Sequence, residues 1–172
     1  APAPAVVSGW LPVYLHPGFA TCIECLPMAG YSETPLAKKL GIKEGSRVAV
    51  VGERNGFAGM LGALPPGARF VAPDDVALDV VVCFVTEAQE VEERFLEMKP
   101  RLAWTGGLWM GWPKRGSGIA STVSENTIRE LGLAAGLVDN KVCAIDEQWS
   151  GLRFVWRLAD RPKKTKTGRG AA

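Results

Sequence analysis

Leu78-Asp79-Val80-Val81-Val82-Cys83-Phe84-Val85 is the stretch on which the fold turns. Its residues are apolar except for Asp79, and such a run, rich in β-branched side chains, suits a strand buried on both faces of a parallel sheet. The segment from Glu87 to Lys99 follows, with Ala88, Val91, Phe95 and Met98 at helical spacing, so the two together form a βα unit. Upstream, Arg47-Val48-Ala49-Val50-Val51-Gly52 repeats the buried-strand pattern. Asn55 and Gly56 then open a helix through Phe57, Met60, Leu61 and Leu64, which stops at Pro65-Pro66-Gly67, and Arg69 to Ala72 makes a short second strand. Earlier still, Thr34 caps a short helix that has Pro35 in its first position and Gly41 as its stop.

Downstream of the deciding strand, Leu108 to Trp112 gives the next one, and Pro113-Lys114-Arg115-Gly116-Ser117-Gly118 forms a polar loop at its end. Thr122 and Glu125 fit a capping box for a helix with Ile128, Leu131 and Ala135 on one face, stopped by Gly136. Two last strands, Val138 to Ile145 and Leu152 to Leu158, flank a turn at Asp146 to Gly151. Alternating βα units imply parallel strands with right-handed crossovers, and the short final turn forces the last strand to run antiparallel. The expected fold is therefore α/β, three-layer and Rossmann-like, with a mostly parallel sheet and a terminal antiparallel β-hairpin strand.

A chain of 172 residues, 47% hydrophobic, has material for one core. Residues 28–160 are read as a single α/β domain. The net charge of +2 hides an uneven distribution, since Arg161, Lys163, Lys164, Lys166 and Arg169 all fall in the last twelve residues. That end lacks apolar periodicity, so residues 161–172 read as a basic disordered tail. Residues 1–27, rich in proline and without helical or strand period, read as a disordered or non-native extension, because Met28 begins a sequence like an ordinary bacterial start. No apolar run reaches the ~18 residues that span a bilayer and no secretory pattern stands at the N-terminus, so a cytoplasmic location is expected. Cys22 and Cys25 form a C-x-x-C near His16, but no second pair accompanies it and Leu26-Pro27 follows at once, which argues against a zinc or redox site. With His16 the only histidine, no Ser-His or Cys-His pair can be assembled within the domain, and no carboxylate cluster stands at metal-ligand spacing.

The order of elements resembles the back half of the S-adenosylmethionine-dependent methyltransferase fold. More specifically, three stretches resemble a short bacterial family catalogued as domain of unknown function 3052. They are Met28-Ala-Gly-Tyr-Ser-x-Thr-Pro-Leu-Ala-Lys-Lys-Leu-Gly-Ile42, Trp112-Pro-Lys114, and the run from Gly136 through Asp146-Glu147-Gln148-Trp149-Ser150 to Val155. The resemblance covers residues 28–158 and implies a fold without implying a reaction. It also exposes a departure. A methyltransferase of this type is expected to carry a Gly-x-Gly-x-Gly turn after its first strand, where backbone approaches the cofactor. Here Gly52, Gly56 and Gly59 match neither that pattern nor a P-loop. Between Leu64 and Leu78 only one short strand fits, so a βα unit is missing on the adenosine side. No cofactor is therefore expected, with S-adenosylmethionine as the alternative.

Ligands of open α/β sheets bind outside the carboxyl ends of the parallel strands. Three polar loops fall there. Glu53 and Asn55 follow the first strand, Lys114, Arg115 and Ser117 follow the Trp112 strand, and Asp146, Glu147, Trp149 and Ser150 lie in the hairpin turn, with Thr86 between them. The Lys114 loop reads either as a flexible strand exit with solvated cations or as a phosphate or carboxylate site beside a helix N-terminus. The hairpin reads either as a plain β-turn, Gly151 supplying the positive φ, or as a site wall in which Trp149 is a lid and Asp146 or Glu147 an acceptor or base. The leading functional expectation is a non-catalytic module binding a small anion. A divergent methyltransferase is the alternative, and an interaction module contacting nucleic acid or an acidic protein through residues 161–172 is a third.

Overall fold

A computed structural model describes residues 34–52 and 56–162. The expected N-terminal extension, the Glu53 to Asn55 turn and most of the basic tail lie outside the described residues. The chain runs α1 (Leu36–Leu40), β1 (Arg47–Val51), α2 (Phe57–Leu61), β2 (Arg69–Phe70), β3 (Leu78–Phe84), α3 (Ala88–Met98), β4 (Leu102–Pro113), α4 (Glu125–Ala134), β5 (Leu137–Ala144) and β6 (Trp149–Trp156). Six strands make one sheet in the order β2-β1-β3-β4-β6-β5. β2, β1, β3 and β4 pair in parallel, and β6 inserts antiparallel between β4 and β5.

Alternation along the strands splits the core into two layers, one on each sheet face. Ala49, Val81, Cys83, Leu108, Met110, Leu152 and Phe154 face one way and pack with Val91, Phe95 and Met98 of α3 and Ile128 of α4. Val48, Val80, Val82, Phe84, Trp109 and Trp149 face the other way, under Leu40 of α1 and Phe57 and Leu61 of α2. The deciding strand is buried from Val80 to Phe84, as a strand covered on both faces must be. Trp109 is fully buried, and its indole N–H donates to the Leu40 carbonyl at 2.9 Å, which locks α1 onto the sheet. Gly132 lets α4 descend onto the sheet: a Cβ there would stand 2.2 Å from the Phe154 ring.

Several local expectations are corrected. The cap of α4 is Ser124, whose Oγ accepts from the Thr127 N–H at 3.2 Å. Thr122 instead accepts from the Ala88 N–H and donates to Glu87, tying the two helix starts together. The reciprocal capping box belongs to α3, between Glu87 and Glu90. The hairpin turn is shorter than expected, because Trp149, Ser150 and Gly151 already lie in β6. Gly151 is not among the residues with positive φ; an Asx turn does that work, the Asp146 Oδ1 accepting from the N–H groups of Gln148 (2.8 Å) and Trp149 (2.7 Å). β4 begins at Leu102, six residues before the expected start, with extra residues bulging between the pairs Leu78/Leu102 and Val80/Gly107.

β2 is the short element. It reaches only Arg47 and Val48 of β1, so Val50 to Gly52 have no strand on that flank. The chain then returns directly to β3, held by an ion pair between Arg47 and Asp75 and by Arg47 donating to the Val76 carbonyl at 2.6 Å.

Candidate functional site

Strand order reverses between β1 and β3, which puts the ligand edge at their carboxyl ends. Two cavities open along it. One, of about 350 Å³, lies at the reversal point and is lined by Gly52, Phe84, Thr86, Glu90, Arg94 and Trp149. The other, of about 610 Å³, lies between the end of β4 and the start of α4. Trp112, Ile119 and Val123 supply apolar lining, and Lys114, Arg115, Ser121, Thr122, Ser124 and Ser150 the polar wall. Trp149 and Ser150, adjacent in β6, point to opposite faces and line one cavity each. Between them the carboxyl end of β3 is strapped down: the Thr86 carbonyl accepts from the Thr122 N–H at 3.0 Å and from the Ser121 hydroxyl at 2.7 Å.

The larger cleft has the electrostatics of an anion site. Lys114 donates through Nζ to the Asp146 carbonyl at 2.7 Å, which holds its charge at the rim and couples the loop to the hairpin. Arg115 is exposed and has no ion-pair partner among the described residues. Glu125 and Asn126, in the first turn of α4, line the cleft; first-turn N–H groups have no acceptor within the helix, and the helix dipole adds to them. Glu125, the carboxylate in the lining, pairs with Arg129 at 2.7 Å, so its charge is turned along the helix. Water-bound anions suit this combination of partial and full positive charge.

The smaller cavity is built differently. Phe84 and Trp149, both buried, meet edge to face at 5.1 Å and form its floor. Glu90 accepts from the Thr86 N–H at 2.9 Å and the Glu87 N–H at 3.1 Å, and these bonds hold its carboxyl below the usual range. Arg94 pairs with Glu97 at 2.9 Å, while its Nε is buried without a partner.

Lys114, Arg115, Ser150, Thr86 and Trp149 therefore come to one edge, though divided between two cavities, while Asp146 lines neither and is joined to the edge through its carbonyl, which accepts from Lys114. Ser117 lies in the loop itself, its Oγ accepting from the Ile119 N–H at 3.3 Å and its carbonyl from Gln148 at 3.3 Å. Glu147 is exposed at the hairpin tip and lines neither cavity. Glu53 and Asn55 lie outside the described residues. The lid expected of Trp149 is corrected, since the ring is 5% exposed and belongs to the core. Ser121, Ser124 and Asn126 escaped the sequence reading because the cap was placed two residues early. Nucleophilic chemistry finds no support in the two described thiols: burial pushes Cys83 up to about 12 and raises Cys143 as well. Among the described residues no cluster of His, Cys, Asp or Glu is arranged to hold a metal ion, and no helix is long and apolar enough to cross a membrane.

Sheet order, the antiparallel β6 and the clefts at the carboxyl edge define the class: a Rossmann-like α/β fold of the methyltransferase type. Several solved structures share this fold. It is similar to an S-adenosylmethionine-dependent methyltransferase from Aquifex aeolicus, with a TM-score of 0.52 and 16% identity over 69% of this chain and 86% of that one. It is also similar to the fibrillarin pre-rRNA processing protein of Methanococcus jannaschii, at 0.51 and 13% over 74% and 70%. Precorrin-6y C5,15-methyltransferase from Geobacter metallireducens matches at 0.50 and 13% over 71% and 86%. No protein-family model and no curated protein sequence matches the chain. At these identities the likeness is one of fold.

The described residues do not fit the whole of the cofactor this fold implies. The reversal-point cavity offers an aromatic floor and the Arg94 cation. Gly52, however, is pressed so close to β3 that a Cβ would stand 2.5 Å from the Phe84 carbonyl oxygen. Among the described residues no strand supplies the wall an adenosine needs, because β2 stops beside Val48, and Asp75, one of two acids after it, pairs with Arg47 at the opposite edge of the sheet.

Proposed function

We propose that this protein binds a small anion, a phosphate- or carboxylate-bearing metabolite, in the cleft between β4 and α4, and that the binding is regulatory. One observation carries the reading: the cleft of about 610 Å³ brings Lys114 and Arg115 to the N-terminal turn of α4, where the one carboxylate of the lining, Glu125, is drawn toward Arg129, a cation it shares with Asp139. Its volume falls in the ~300–1,000 Å³ range of metabolite pockets. Membership of the bacterial domain of unknown function 3052 family, resting on the Met28, Trp112 and Gly136 stretches, belongs to the same proposal.

Calorimetric titration with inorganic phosphate, phosphorylated metabolites and small carboxylates tests it. Saturable binding that Arg115→Ala weakens by about tenfold, without loss of stability, supports the reading; Arg115 suits this test better than Lys114, which also secures the hairpin. No heat with any anion, or binding indifferent to Arg115, contradicts it.

A second reading, S-adenosylmethionine-dependent methyl transfer, is favoured by the strand order and by the cavity beside Gly52 and Thr86. It predicts that S-adenosylhomocysteine binds and that Arg115→Ala leaves that binding intact. An absence of heat at millimolar cofactor removes it.

A further inference from the structure

The opposite edge of the sheet, at the amino ends of the parallel strands, carries a second constellation that the carboxyl-edge site does not use. The bulge at the start of β4 pushes Trp104 outward, leaving it 46% exposed. It packs against Trp156 at the end of β6, ring centroids 4.5 Å apart and planes tilted by 46°. Trp156 is fixed from behind, its indole N–H donating to the Leu102 carbonyl at 3.3 Å, while Lys99 Nζ stands 5.1 Å over its ring. Beside the pair is a notch of about 410 Å³, walled by Ala77, Pro100, Leu102 and Ala103.

Four cations near this edge, of which Lys99 stands over the Trp156 ring, have no carboxylate partners among the described residues. Lys99 donates to the Ala135 carbonyl (2.6 Å), Arg101 to Pro73 (3.2 Å), Arg157 to Leu133 (2.9 Å) and Arg161 to Trp156 (3.0 Å). Each is anchored by a backbone carbonyl, which fixes its place; Lys99 and Arg157 do so at the carboxyl end of α4, whose dipole offsets part of their charge. Arg161 also lies close to Arg153, whose guanidinium is lowered first by burial and then by that neighbouring charge. Arg153 covers Gly107, has a buried Nε without a partner, and enters no described ion pair. Asp160 is the one acid between Arg157 and Arg161, and Lys163, Lys164, Lys166 and Arg169 follow in sequence.

Cations alone would suit any polyanion. An exposed aromatic face held rigid among them is the arrangement that tracks a phosphate backbone while stacking a base. We infer that the Trp104–Trp156 edge binds single-stranded nucleic acid, one base stacking on Trp104 against the adjoining notch and the flanking phosphates lying on Lys99, Arg157 and Arg161. Sequence discrimination is not expected, because every base offers a π face. The surface is separate from the anion cleft, so either proposal can fail without the other.

The test is fluorescence anisotropy of a labelled twelve-nucleotide oligouridylate with the full chain, together with quenching of tryptophan emission. Binding should weaken with salt at a log–log slope of about −2, three phosphate contacts each contributing ~0.7. Trp104→Leu, which keeps apolar bulk but removes the stacking face, should weaken binding on the order of ten- to a hundredfold, while Trp104→Phe retains most of it. Arg157→Ala should cost less and flatten the salt slope by about 0.7. The proposal is overturned by an absence of binding at low salt, by Trp104→Leu binding as the parent does, or by polyglutamate competing as well as unlabelled oligouridylate. It is also overturned if Trp104→Leu binds normally while deletion of residues 163–172 abolishes binding, since charge alone would then explain the capture. Unchanged thermal unfolding of the variants shows that the fold is intact.

Discussion

The two flanks of the sheet have been built to very different depths. On the hairpin flank β4, β6 and β5 run for 12, 8 and 8 residues, are covered by α3 and α4, and pack closely enough that Gly132 leaves no room for a side chain against the Phe154 ring. On the other flank β2 is a two-residue strand, both residues exposed, and the chain turns back beside Arg47 without a further βα unit. A methyltransferase-type fold needs both flanks to enclose a nucleoside cofactor. Here the flank that survives in full is the one that forms the β4–α4 cleft, which is why the proposed ligand is an anion held from that side.

The contrast can be broken most forcefully in the core. Trp109→Ala removes a fully buried indole and its bond to Leu40, and should cost ~3–5 kcal/mol in urea unfolding. Phe70→Ala, on the exposed β2, should stay within about 0.5 kcal/mol. Comparable losses would mean that the short flank carries more of the fold than its burial allows. A smaller effect sharpens the picture at the hairpin: Asp146→Ala deletes the acceptor for two N–H groups and should cost ~1–2 kcal/mol, with Asp146→Asn recovering part of it, read by thermal unfolding.

The smallest effect concerns pH. Glu90 is held below its ordinary value of 4.5 by the N–H groups of Thr86 and Glu87. A carboxyl depressed in the folded state adds stability that is complete above its unfolded pKa and fades as pH falls through the folded one. Acid titration of stability should therefore show a modest loss below about pH 4.5 that Glu90→Gln flattens. The group is only partly buried, so the change is slight, and an identical pH profile in the variant would show that the two bonds are not selective for the charged form.

Much of the architecture was legible because its causes are local in the sequence. The apolar run from Leu78 to Val85 can be satisfied only by burial on two faces, and the short link between β5 and β6 dictates an antiparallel return. The functional edge was less legible. Thr122 and Ser124 are both competent caps, and which one wins depends on Glu87 reaching Thr122 from another helix, a contact 35 residues away in sequence. Trp149 beside a turn reads equally as lid or core, and only packing on Phe84 decides it. Trp104 gave no periodic signal because its bulge departs from strand alternation.

Ligand is proposed to bind from the hairpin flank, in the β4–α4 cleft. Backbone amide chemical-shift mapping during titration with inorganic phosphate tests it most directly. The account predicts saturable shifts concentrated at Arg115, Gly116, Gly118, Glu125 and Asn126, with Gly52 and Thr86 unmoved; shifts centred on Gly52 and Thr86, or none at millimolar phosphate, would contradict it.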